Sequence, residues 1–176
     1  MTAITLRVGT PDDIGAIHAI YAHHVLHGLA SFEEAPPDAA EMTRRQADVL
    51  GRGYPYIVAT DGNGTILGYA YANLYRPRSA YRYTVEDSIY LAPDQGRRGI
   101  GRLLLDRLIT DCTAVGARQM IAVIGDLGNH GSIGLHRACG FHMVGTLPAT
   151  GLKFGRWVDS VLMQRALGDG ETSIPV

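Results

Sequence analysis

Cysteine is scarce: the chain has two in 176 residues, Cys112 and Cys139, which rules out a disulfide framework. Each falls on a separate predicted helix, where a lone cysteine reads as a reduced core residue. The spacings that hold metals, C-x-x-C and H-E-x-x-H, do not occur, so no metal is expected. His23, His24 and His27 crowd one N-terminal helix, but adjacent positions there point in different directions, and a surface or packing role is the expectation. Nor is there an excess of charge. Lys plus Arg number 16 against 17 Asp plus Glu, a net charge of -1, which argues against a nucleic-acid or other polyanion partner. No apolar run is long enough to span a membrane, and residues 1–4 carry neither the basic region nor the apolar stretch of a signal peptide. A cytoplasmic protein is the expectation. Nucleotide signatures are missing too: no Gly-Lys-Ser/Thr closes a Walker A loop, and no G-x-G-x-x-G opens a first βαβ unit.

What is present is 46% hydrophobic residues, enough for one domain with a real core, residues 5–167, followed by a loose tail from 168 to 176. Strands are expected at residues 5–9, 56–60, 66–74, 84–91 and 119–124, with 141–147 and 157–165 closing an antiparallel hairpin. Asp61-Gly62-Asn63-Gly64 is a strong turn between the second and third of these. Thr10, Pro11, Asp12 and Asp13 read as a helix start, with Ile14, Ile17, Ile20, Tyr21 and Val25 as its apolar stripe. A second helix begins at Pro36-Pro37-Asp38 and runs to about residue 51. A long one spans 99–115, and a short one within 129–140 ends at Gly140. Between the first two helices, residues 29–34 are too apolar for an idle loop. The pattern is an α/β (α+β) fold, and Trp157, taken alone, reads as a core residue.

The most telling segment is the strand 84–91 feeding Gly96-Arg97-Arg98-Gly99-Ile100-Gly101-Arg102 and the long helix. The first amides of a helix are unpaired and lie at the positive end of its dipole, so they bind anions. Gly99 and Gly101 let a ligand approach the backbone, and Arg97, Arg98 and Arg102 add charge. A diphosphate is the guest this chemistry suits. Alone, the segment reads more readily as an ordinary strand-turn-helix with a solvated basic turn.

A second segment changes that balance: Asn129-x-x-Ser132-x-x-Leu135-His136 with Gly140-Phe141. Together the two resemble the paired motifs of the GNAT N-acetyltransferases, with Gly96 at a position where the family carries Gln or Arg. Arg78 to Glu86, Ala122 to Gly125 and Gly151-x-Lys153-x-Gly155-x-Trp157-x-Asp159 look further like the phosphinothricin and methionine sulfoximine/sulfone acetyltransferases. The resemblance runs over residues 6–167. It implies a mixed, mostly antiparallel central sheet flanked by helices, with acetyl-CoA as cosubstrate in a splay after the fourth strand. The resemblance also implies a homodimer.

The implied roles fall on named positions. Ile89, Tyr90 and Leu91 would hold the pantetheine through their backbone, with an amide there as oxyanion donor. Gly96 to Arg102, including Ile100, would take the diphosphate, and Asn129 the cofactor arm. Glu86 would be the base that frees the amine, although on local sequence alone it reads as an exposed or salt-bridged strand carboxylate. His136, where many relatives have tyrosine, would be a general acid or part of a proton relay. Residues 29–34 would line the acceptor site, with Phe32, Arg76, Arg78, Thr84 and Val85 as acceptor contacts. Arg76 and Arg78 are otherwise solvated loop charges, and Lys153, Arg156 and Trp157 would shape the pocket or a dimer contact. The expected reaction is direct transfer to the α-amino group of a small amino-acid-like acceptor. Acetylation of a protein N-terminus, polyamine or aminoglycoside is the alternative within the enzyme class, and a non-catalytic CoA-binding sensor the alternative outside it.

Overall fold

A computed structural model of the chain describes residues 3–175. Its strands are β1 (Thr5–Val8), β2 (Tyr56–Thr60), β3 (Ile66–Leu74), β4 (Thr84–Leu91), β5 (Gln119–Gly125), β6 (His142–Lys153) and β7 (Arg156–Ala166). The α-helices are α1 (Ile14–His27), α2 (Ala39–Gly51), α3 (Ile100–Ala114) and α4 (His130–Ala138). The strands form one seven-stranded sheet in the order β1-β2-β3-β4-β5-β7-β6. Every pairing is antiparallel except β4 with β5.

Helices cover both faces, so β2 is buried along its whole length and β3 over most of it. The two-residue period of β4 divides its side chains between two cores. Val85 joins the α3 side with Ile100, Leu104, Leu105 and Leu108, all fully buried. Tyr90 joins the α1/α2 side with Ile17, Val25, Tyr56 and Tyr69. The helix starts follow their sequence signals: Asp38 accepts the Glu41 amide at 2.8 Å and caps α2. Asp13 accepts the Thr10 amide at 2.7 Å.

One irregularity makes the site. β4 and β5 pair only where Thr84, Val85 and Glu86 face Gln119, Met120 and Ile121. Past Glu86 the two strands part, and the backbone groups of β4 on that side have no strand partner. Unpaired buried amides and carbonyls are costly unless something meets them, so this splay is a place for an extended ligand.

Three expectations need correction. β6 continues to Lys153 through Pro148-Ala149-Thr150, with register breaks at Met143/Gly145 and Leu147/Gly151, because Ala149 turns at φ 53° and Asp159 Oδ1 accepts its amide. Trp157 is not core but 66% exposed. It sits opposite Leu152 on the outer face of the edge hairpin, while its neighbour Val158 turns inward. The beginning of the tail is tied down: Gly170 is buried, its amide bonds the Leu167 carbonyl, and Asp169 pairs with Arg118.

Candidate active site

A cavity of about 700 Å³ occupies the splay. At one end lie Gly96, Arg97, Gly99, Gly101 and Arg102. Gly99 is the N-cap of α3 at φ 80°, and no side chain caps that helix, so its first amides remain free for an anion. Arg97 is also left-handed, at φ 60°, which curls the turn. Gly101 packs against Leu135, and a Cβ there would come within 3.1 Å of the Leu135 side chain. Arg98 bonds Gln95 instead, and the Ile100 side chain is buried in the core; neither lines the cavity.

Along the middle run Ser88, Ile89, Tyr90 and Leu91. The Leu91 carbonyl is already taken, accepting from His24 Nε2 at 2.8 Å. His24 therefore carries its hydrogen on Nε2, and burial lowers its pKa, so a neutral ring closes this wall. Asn129 lines the far wall, with its side-chain oxygen accepting the Ser132 amide at 3.1 Å as the cap of α4.

At the inner end Glu86 is half-buried and lines the cavity. Burial raises its pKa first, the Asp87 carboxylate raises it further, and the Arg76 charge opposes both. A raised pKa makes a carboxylate a better base while it stays ionised. On the opposite side of β4, Asp87 meets His136: Nε2 lies 2.9 Å from Asp87 Oδ2 and Nδ1 lies 2.7 Å from the Ser132 carbonyl. Both side chains are almost wholly buried, and both line the cavity. Burial lowers the His136 pKa, but the hydrogen bond and charge of Asp87 outweigh it, and the net shift is upward.

The segment between α1 and α2 forms a further wall of the cavity through Ala30 and Phe32, and it is pinned from several directions. Lys153, buried on β6, donates to the Ser31 carbonyl at 2.6 Å, and Tyr21 shares a 2.9 Å hydrogen bond with Ser31 Oγ. Arg45 pairs with Glu33 at 2.7 Å. Gly125 and Gly151 leave room for this segment: a Cβ on Gly125 would overlap the Leu29 carbonyl, and one on Gly151 would overlap the Phe32 ring.

The other expected acceptor contacts are placed elsewhere. Val85 is fully buried in the α3-side core, because its position on β4 faces away from Glu86. Thr84 is half-buried and outside the cavity lining. Arg76 and Arg78 are exposed beyond β3. Arg76 lies over the Tyr75 ring, close enough for its charge to act on Glu86, while Arg78 caps a short 3-10 turn. Sequence reasoning missed Asp87, Ser132 and His24 as cavity residues. Asp87 could have been found from the strand period, which puts it on the face opposite Glu86. Neither cysteine lines the cavity. Burial pushes the Cys112 thiol up to about 12 and the Cys139 thiol to about 11, so neither offers a thiolate for a covalent intermediate.

A sequence model of the acetyltransferase (GNAT) family matches residues 12–141. A phosphinothricin N-acetyltransferase of Alcaligenes faecalis is 58% identical over 173 residues, 98% of this chain and 87% of its own. An L-methionine sulfoximine/L-methionine sulfone acetyltransferase of Pseudomonas aeruginosa is 44% identical over 91% of this chain and 92% of its own. Among solved structures, a GNAT superfamily phosphinothricin acetyltransferase from Sinorhizobium meliloti in complex with acetyl-CoA superposes with a TM-score of 0.96. It is 51% identical, over 100% of this chain and 94% of that one.

Proposed function

Because this chain belongs to the acetyltransferase (GNAT) family and is an N-acetyltransferase, we propose that it acetylates the α-amino group of a small amino-acid-like acceptor. The acceptor is of the phosphinothricin, methionine sulfoximine or methionine sulfone type, and acetyl-CoA is the donor. The observation that carries this reading is a single cavity joining a helix start free to bind an anion, the splayed edge of β4, and a half-buried carboxylate at Glu86. The relatives named for those substrates supply the acceptor class.

In this reading the diphosphate lies on the Gly96 to Arg102 turn, held by Arg97, Arg102 and the amides of α3. The pantetheine runs along the unpaired side of β4. The amine reaches the thioester carbonyl beside Glu86, which takes its proton directly or through water. A β4 amide stabilises the oxyanion as the tetrahedral centre forms. His136 is the source of the proton for the leaving thiolate. Transfer is direct, in keeping with the absence of a reactive thiol at the site. Phe32 and Arg76 bound the acceptor, Arg76 by attraction to its carboxylate or polar head, with Arg78 further out.

We assign the chain to a homodimer on the strength of its sheet edge, where Val144, Leu147, Leu152 and Trp157 are all exposed on the β6–β7 hairpin. An open edge with apolar side chains is a pairing surface. The test of the main reading is a thiol-release assay with acetyl-CoA across an amino-acid, polyamine, aminoglycoside and peptide panel. Turnover confined to the sulfone, sulfoximine and phosphinate amino acids supports it. Turnover on a polyamine, aminoglycoside or peptide with none on those amino acids would reassign the acceptor.

A further inference from the structure

The cavity wall opposite Glu86 carries a connected array whose hydrogen-bond directions can be worked out atom by atom. The Ser132 carbonyl, 2.7 Å from His136 Nδ1, can only accept, so Nδ1 bears a hydrogen. On the other side Nε2 lies 2.9 Å from Asp87 Oδ2, and a lone pair facing an ionised carboxylate there would be repulsive. A proton therefore sits between them as well; we place it on Nε2, the more basic atom of the two, in keeping with the upward shift of the His136 pKa, which makes the pair an imidazolium facing a carboxylate. The other Asp87 oxygen, Oδ1, is buried with no partner among the described residues. Among the described residues His136 is thus the sole hydrogen-bond partner of that side chain's carboxylate, and a buried carboxylate needs its counter-charge.

With both of its nitrogens committed, His136 has no free N–H to place on a sulfur atom. Ser132 does have a free group. Its hydroxyl is 3.3 Å from His136 Nδ1, it is half-buried, and it lines the same cavity. While the ring is charged, Nδ1–H is satisfied by the Ser132 carbonyl and the hydroxyl hydrogen is left to point into the cavity. Once the ring is neutral, the hydroxyl can donate to the Nδ1 lone pair. One residue thus satisfies both protonation states of the ring, through two different atoms.

We infer that Ser132 is the catalytic group that protonates the departing coenzyme A thiolate, and that His136 and Asp87 are positioning residues that recharge it. The inference rests on the acetyl-transfer reading above and gives the leaving-group half of that reaction a route. As the tetrahedral intermediate collapses, the carbon–sulfur bond breaks and sulfur keeps the electron pair. The Ser132 Oγ proton passes to sulfur, and the His136 Nδ1 proton passes to Oγ. A neutral imidazole is left, still donating from Nε2 to Asp87. The ring regains a proton from solvent as product leaves, so the array ends as it began.

The test uses the whole 176-residue chain with the best acceptor of the panel. Ser132→Ala should lower kcat by about 10²-fold, the lower end of what a positioned proton donor contributes. Coenzyme A affinity, measured separately by calorimetry, should stay within about twofold. Ser132→Thr keeps the hydroxyl and should recover most of kcat. His136→Gln should lose a similar factor, and Ser132→Ala in the His136→Gln background should cost little more, because members of one relay are not additive. Asp87→Asn should lower kcat with the acetyl-CoA KM unchanged. Ser132→Ala with kcat within twofold of wild type, or losses at Ser132 and His136 that multiply, would overturn the relay. A failure of wild type on the amino-acid panel bears instead on the acceptor, since the ratios can be taken with whichever amine is acetylated.

Discussion

Replacing Glu86 by glutamine removes one negative charge and almost no volume, which makes it the sharpest probe of the chemistry. The side chain is half-buried at the inner end of the cavity and belongs to neither hydrophobic core, so the variant should fold and melt like the parent. The carboxylate is less acidic than usual because burial and Asp87 both disfavour its charge. As a base it is well matched to an ammonium, and a positioned base contributes about 10²- to 10⁴-fold. A loss of about 10²-fold in kcat/KM at neutral pH, some 2.7 kcal/mol of transition-state stabilisation, is the expected minimum. The sign of the pH dependence follows from the direction of the shift. Wild-type kcat/KM should fall as pH drops through the raised Glu86 pKa, and this acid limb should vanish in Glu86→Gln. The deficit should narrow above about pH 8, where an α-amine begins to lose its proton unaided. Initial rates of thiol release between pH 5.5 and 9.5, on both proteins, decide the matter. A variant with full activity at neutral pH, or a deficit constant across the range, would refute the assignment of Glu86 as base.

Other expectations concern the two ends of the cavity and the fold. Gly99→Val forces a β-branched residue into φ 80° at the diphosphate turn, and acetyl-CoA affinity by calorimetry should fall tenfold or more. Gly151→Ala would push its new methyl into the Phe32 ring; acceptor KM should rise several-fold while acetyl-CoA KM stays put, measured by steady-state kinetics. Asp13 pairs with Arg7 at 2.6 Å, and its pKa is lowered to about 2, so its contribution is present above about pH 4 and lost as pH falls through about 2. With Arg7 42% exposed, that contribution is discounted to about 1 kcal/mol. Urea denaturation should show Asp13→Asn less stable than wild type at pH 6, with the difference shrinking below about pH 4 and gone near pH 1.

How much of this was legible in the chain depended on whether the signal was local. The strand-turn-helix around Gly99, the cap at Asp38 and the alternation of β4 are written in neighbouring residues, and they came out where the sequence put them. Glu86, His136, Asn129 and the glycine turn line one cavity, and two motifs in order are what brings them into the same view from sequence. The Ser132-His136-Asp87 array was not legible in full, since Asp87 lies far along the chain and meets His136 only through α4 docking on β4. Lys153 is expected to shape the pocket or a dimer contact, but its burial against a backbone carbonyl from a distant segment is set by tertiary packing that no local pattern shows. Trp157 reads as core by type and is exposed by position, because strand parity and the sheet edge decide its environment. The strand expected over 141–147 runs on past Pro148 as irregular β6, with Asp159 bridging the gap.

The central claim is that one cavity joins donor and acceptor chemistry for a small amino acid. Its most direct test is the steady-state rate of acetyl transfer from acetyl-CoA to methionine sulfone, methionine sulfoximine and phosphinothricin, with each N-acetyl product identified by mass spectrometry. The account predicts saturable turnover on at least one of the three, with acetylation on the α-nitrogen and sensitivity to Glu86→Gln. Acetylation of an aminoglycoside or a peptide amine, with none of the three amino acids turned over, would contradict it.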